Sequence, residues 1–131
     1  MLNLDACRLL LSRLPIKHWR TKQPVPFELN YNQHILIEAM KKHQAKLDGR
    51  LRVISVKARK VGFSAIVDSL AVCHIAEKAN ANAWIVSCLD NSSEELFKVP
   101  VDLINGWPFP LPKPLSNKIT YPHKIGDSFL T

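Results

Sequence analysis

The sequence predicts an α/β fold in which helices cover a mostly parallel sheet, and three features of the chain point to it. A β-rich run, Leu51-Arg52-Val53-Ile54-Ser55-Val56, is followed by a long apolar helical stripe and then by a second, almost continuously apolar run from Ala83 to Leu89. Together they span about 39 residues, the size that a right-handed parallel crossover requires. An unbroken apolar run of strand length also fits a parallel strand buried on both faces.

The elements follow in order. The leader, residues 1–29, has Leu2, Leu4, Leu9, Leu10, Leu11 and Leu14, enough for a short helix that stops at Pro15. KHWRTKQPVPFEL after it reads as an irregular arm, because Pro24 and Pro26 disfavour helix, and the arm is expected to wrap onto the next element. From Asn30, the residues Tyr31, Ile35, Leu36, Ala39, Met40 and Leu47 recur at roughly helical spacing, with Gly49 as the exit. Asn30 followed three residues later by Gln33 has the form of a capping box. Ser64 to Asn80 carries the crossover helix, and Asp90-Asn91-Ser92-Ser93 caps another over Glu94–Asn105, with Pro100 as a kink or early end. The proline-rich stretch Gly106–Pro114 is a rigid linker, and Asn117–Tyr121 and Ser128–Thr131 read as two short strands.

At 131 residues and 47% apolar, the chain has one domain's length and the side chains for a core, which excludes disorder as the whole answer. No apolar run approaches the ~18 to 20 residues of a membrane span, and Asp5 sits where a signal peptide carries a cation. Cys7, Cys73 and Cys88 are odd in number and widely spaced, which fits a reducing, cytoplasmic setting. The five histidines show no H-E-x-x-H or i, i+4 pairing, and the serines no G-x-S-x-G setting. Charge is lopsided: residues 1–65 hold 13 bases and 4 acids, a net +9, whereas residues 66–131 hold 5 and 7, a net −2. A front half this basic points to a polyanion such as nucleic acid or a nucleotide, or else to a solvated cationic face.

The segment that carries chemistry is the loop Lys57-Ala58-Arg59-Lys60-Val61-Gly62 with Phe63 and Ser64 opening the helix. A strand, a compact loop with a late glycine and a helix N-terminus together aim backbone N–H groups and the helix dipole at an anion. Against the usual G-x-x-x-x-G-K-S/T pattern, Gly62 takes the second glycine and Ser64 the magnesium-holding hydroxyl, while Lys57 replaces the first glycine and Phe63 the lysine. Lys57 reaches the phosphates from the loop's other end, where a cation about 4 Å from a phosphate oxygen gains roughly 4 kcal/mol at an effective dielectric near 20. The alternative is an ordinary exposed βα loop with Gly62 as a turn residue.

PFELNYNQHILIEAM, LRVISVKARKVGFSAIV and AWIVSCLDNSSEELF, followed by the proline-rich stretch, resemble the start of the ATPase domain of a tailed-bacteriophage terminase large subunit. That family carries a variant Walker A loop of the K-x-R-x-x-G-x-S/T type. The resemblance covers about residues 26–131 and is strongest at 51–67; the chain departs from many members at Lys60 and Ala65.

The resemblance implies a P-loop NTPase (RecA-like/ASCE) three-layer fold, with residues 30–131 as the N-terminal portion of the ATPase domain. ATP would be held by Gln33 at the adenine edge, Lys57 at the phosphates and backbone amides from Ala58 through Arg59, Lys60, Val61 and Gly62 to Phe63, with magnesium on Ser64. Gln33 is equally explained as the cap partner of Asn30, and Arg59 and Lys60 are further candidates for phosphate, a neighbouring subunit or DNA. Implied partners are double-stranded DNA, a portal protein, the small terminase subunit and further copies in a ring, with no membrane, in the host cytoplasm.

Trp84–Asp90 imitates a Walker B strand, but Asp90 is better read as a helix cap. The acidic magnesium-binding pair and the nuclease are then expected outside this chain, which alone would hydrolyse ATP poorly or not at all. A helicase-like ATPase and a small basic nucleic-acid-binding protein without nucleotide chemistry are the competing readings.

Overall fold

A computed structural model of the chain describes residues 2–17, 20–56, 62–87, 90–115 and 117–131, with backbone alone for 90–94. The fold is mixed α/β. Helix α1 (Leu4–Leu11) is capped by Asn3, whose Oδ1 accepts from the Ala6 N–H at 3.0 Å, and buries Leu4, Cys7 and Leu11 at helical spacing. Strands β1 (Pro15–Lys17) and β2 (Pro24–Pro26) form a two-stranded antiparallel ribbon centred on Ile16 opposite Val25, so the expected irregular arm is partly regular. Its prolines are tolerated because a two-stranded ribbon consists of edges. Beyond the ribbon, Leu14 and Phe27 enter the same core as α1.

Helix α2 (Tyr31–Lys46) starts at the expected capping box and leaves through Gly49, which has φ +84°. The face it buries differs from the one its apolar residues predict. Gln33, Leu36, Ile37, Met40 and Gln44 point inward, while Tyr31, Ile35 and Leu47 are exposed. Two buried glutamines are accommodated because both bond main-chain carbonyls: Gln33 to Gly62 at 2.8 Å and Gln44 to Leu2 at 2.9 Å.

Helix α3 (Phe63–Glu77) is the central element, burying Ile66, Leu70, Val72, Cys73 and Ile75. It ends three residues before the expected Asn80, which instead turns the chain at φ +56°. Strand β3 (Asn82–Ala83) follows, then α4 (Asp90–Asn105), which packs along α3 and continues through Pro100, and then β4 (Ile119–Tyr121) and β5 (Ser128–Leu130). The sheet order is β3-β5-β4, with β5 parallel to β3 and antiparallel to β4. Ser128 fastens this sheet to α3: its buried hydroxyl donates to the Lys78 carbonyl and accepts from the Ala81 N–H at 3.0 Å.

Two expected strands are corrected. Leu51–Val56 forms no ladder with any described residue, and Ile54 and Val56 stand 96% and 99% exposed. Of the described residues in Ala83–Leu89, Ala83 alone lies in a strand; the described ladder ends with the Ile85 N–H on the Thr131 carbonyl, and Trp84 and Val86 are 71% and 87% exposed. Burial on both faces needs a packed layer on each side of the sheet, and the exposed Trp84 and Val86 show that one side of this segment is open. The parallel content of the described sheet is therefore the β3–β5 pair. No described helix is long and apolar enough to cross a membrane.

Candidate functional site

At the N-terminus of α3 the structure brings together Gln33, Gly62, Phe63 and Ser64, the described members of the sequence-predicted set. Gly62 precedes the helix with φ +82°, a left-handed conformation that glycine adopts without steric cost. Among the described residues no side chain caps this end, and no acidic residue lies in its first turn. The first-turn amides are thus without a capping side chain, at the positive end of the helix dipole.

Gln33 comes to this point from the start of α2. Its backbone N–H donates to Asn30 Oδ1 at 2.9 Å, its Oε1 accepts from the Asn30 N–H at 2.9 Å, and its Nε2 donates to the Gly62 carbonyl at 2.8 Å. One amide therefore closes the capping box and clamps the residue that opens α3, with a single Nε2 proton uncommitted among the described residues. The fit is close: a Cβ on Gly62 would lie 2.7 Å from Gln33 Nε2 and 3.0 Å from Asn30 Nδ2.

Phe63 is half-buried, Ser64 is exposed one position further along, and Lys57, Ala58, Arg59, Lys60 and Val61 lie outside the described residues. The arrangement suits a phosphate group, with a helix N-terminus, a glycine that places no side chain in the approach and an exposed hydroxyl. Among the described residues no group of three or more His, Cys, Asp or Glu could hold a metal ion, so a magnesium ion here would depend on Ser64 and on the phosphates themselves.

One chemistry-bearing residue escaped the sequence reading. Asp68, in the second turn of α3, is buried, and the loss of solvation pushes its carboxyl up to about 7. Its sequence signal is plain in retrospect, as it is the sole acid within the apolar stretch Phe63–Ile75.

Two other features bound the interpretation. The basic front half is partly neutralised on α1 and α2, where Arg8 and Lys41 share Asp5 and Glu38 at 2.9 to 3.8 Å; Lys41, first, and Arg8 hold the Asp5 carboxyl below its usual range. Lys42, Lys46, Arg50 and Arg52 are exposed and pair with no described carboxylate. Separately, a cleft of about 480 Å³ runs along the linker between Ile104 and Pro114, beside Trp107, whose ring meets Tyr121 edge-on at 5.7 Å. Its lining has Lys113 but no carboxylate, histidine or thiol, which equips it for packing rather than for proton or nucleophile chemistry.

Comparison of the chain with protein-family models, with curated proteins and with solved structures finds no match in any of the three.

Proposed function

We propose that the chain is the nucleotide-binding portion of a P-loop ATPase domain of the kind that drives double-stranded DNA into viral procapsids. The observation that carries this reading is the N-terminus of α3, without a capping side chain and opened by a left-handed Gly62 that Gln33 clamps from α2. An anion seated there receives first-turn N–H groups and the helix dipole, and a phosphate is the anion such an end accommodates best. On this reading Lys57 would supply the positive charge from the other end of the loop, and the exposed Ser64 hydroxyl would meet a phosphate-bound magnesium ion. Gln33 fixes the exit of the loop and has one amide proton left for an adenine edge. Magnesium-ATP, when bound, supplies the phosphoryl group whose transfer such motors exploit. Double-stranded DNA, a portal protein, the small terminase subunit and ring assembly belong to the same proposal.

Thermal unfolding in magnesium-ATP tests it. At ligand tenfold above Kd, stabilisation is about 1.4 kcal/mol, or about 5 °C for a chain of this size. Lys57→Ala should remove the shift and the affinity measured by fluorescence titration. A wild-type chain indifferent to millimolar magnesium-ATP, or a Lys57→Ala variant that binds equally well, sinks the reading.

A second reading has its own observation. Lys42 and Lys46, one turn apart on α2, and Arg50 and Arg52 beyond it form a cationic stretch of four bases around one acid, Asp48, and none of the four is ion-paired to a described carboxylate. A nucleic-acid-binding chain using these four phosphate contacts would show a log–log salt slope of roughly −3.6. DNA binding of that steepness without any response to magnesium-ATP would select it over the nucleotide-binding reading.

A further inference from the structure

Cys7 on α1 and Cys73 on α3 are both free thiols and both 3% exposed, in one core cluster. The Cα traces of the two helices approach within 8 Å. Their register follows from a second contact: the Asn3 N–H reaches Glu77 Oε2 at 3.4 Å, and Asn3 lies four residues before Cys7 as Glu77 lies four after Cys73. A meeting of Asn3 with Glu77 is the one that an antiparallel pairing of Cys7 with Cys73 would make one turn further along each helix. The thiols also act on one another more than anything else acts on them. A hydrogen bond with Cys73 holds the Cys7 thiol below its usual range, while the same bond, burial and the nearby Glu77 push Cys73 up.

We propose that Cys7 and Cys73 are a disulfide-forming pair, a modification site that a low-molecular-weight disulfide such as oxidised glutathione converts from dithiol to cross-link. The Cys7 thiolate attacks one sulfur of the oxidant, expelling one glutathione thiolate and leaving a mixed disulfide. Cys73 then gives up its proton and attacks the Cys7 sulfur, expelling the second glutathione. The protein loses two electrons and two protons, and the oxidant gains both. Access comes through α1, whose 8 residues are too few to hold a helix without tertiary support, so its local detachment bares both sulfurs. The cross-link closes a loop from Cys7 to Cys73 that contains all of α2 and the Gln33–Gly62 clamp. A chain read as belonging to a reducing compartment thus carries a built-in record of oxidation.

The test uses the full-length chain with Cys88→Ser, which removes the third thiol, equilibrated across ratios of oxidised to reduced glutathione. The expected product is lighter by about 2 Da, resists alkylation after denaturation and yields a tryptic peptide joining residues 1–8 to 61–78. Its Tm should rise by about 15 °C, as expected for a cross-link closing a loop of this length, and fall back with dithiothreitol. A Cys73→Ala companion should take up one glutathione at Cys7 and show no such rise. Two alkylatable thiols at every ratio, glutathione on each cysteine without a cross-link, or a cross-link that lowers Tm would each overturn the proposal. None of these readouts involves nucleotide.

Discussion

The side-chain amide of Gln33 and the main-chain carbonyl of Gly62, 29 residues apart, meet at 2.8 Å and join the first turn of α2 to the start of α3. The joint tolerates no side chain on the glycine. Gly62→Ala combines a left-handed backbone, unfavourable by about 1 to 2 kcal/mol for an L-residue, with a Cβ that must displace Gln33. A loss of about 2 to 3 kcal/mol is expected in chemical denaturation. Gly62→Asn tolerates the backbone angle better but carries the same Cβ, so the difference between the two variants separates strain from collision.

Gln33 itself can be taken apart by two substitutions. Gln33→Ala removes one arm of the capping box and the bond to Gly62, and should cost about 2 kcal/mol. Gln33→Glu keeps an acceptor for the Asn30 N–H but sets a carboxylate against the Gly62 carbonyl. Ionisation is then disfavoured in the folded state, so this variant should be closest to wild type at low pH and lose ground as pH rises. Denaturation curves at pH 4 and pH 8 decide; a deficit of equal size at both would show that the Gly62 contact contributes nothing.

Asp68 gives the wild-type chain its own pH dependence. Its folded carboxyl titrates at about 7 and its unfolded one near 3.8, so the unfolded chain releases its proton first as pH rises. Stability referred to this group is complete below pH 4, declines through the interval from 4 to 7 and has lost roughly 4 kcal/mol above it. Asp68→Asn keeps a neutral polar group at every pH and should match wild type near pH 4 while exceeding it by several kcal/mol at pH 8. The difference between the two urea-unfolding series isolates Asp68 from every other carboxylate, and a flat difference would assign it an ionised, solvated state.

Ser128 links the end of α3 to the sheet by one hydroxyl that is donor and acceptor at once. Ser128→Ala leaves the buried Ala81 N–H and the part-buried Lys78 carbonyl without their partner, an expected cost of about 1 to 3 kcal/mol. Hydrogen exchange at the Ala81 amide should accelerate in step with the loss. Unchanged protection there would mean that water replaces the hydroxyl.

What could be read from the sequence depended on whether a local rule decided the outcome. The capping box at Asn30 and Gln33, the exit at Gly49 and the two closing strands follow from cap chemistry, backbone freedom and turn residues, and all four lie where those rules place them. The inward face of α2 was not legible, because hydrophobicity ranks Tyr31 and Ile35 above Gln33 and Gln44. The glutamines are buried for carbonyls supplied from Gly62 and Leu2, far away in the chain. The strand over Leu51–Val56, and the described part of Ala83–Leu89 beyond Ala83, failed for a related reason: composition reports a preference for extended backbone, and pairing depends on a neighbour that composition does not name. At the candidate site, Gln33, Gly62 and Ser64 fell within reach of motif reasoning, whereas Asp68 needed burial to be noticed.

Ile54, Val56, Trp84 and Val86 bring four large apolar side chains into water along two segments without regular secondary structure. Their consequence is colloidal. Apolar side chains left in water in this way favour contact with other copies, so turbidity and adsorption should set in with rising concentration while the helical core is still intact. Charged replacements at Ile54 and Trp84 would then extend shelf life without moving the unfolding midpoint.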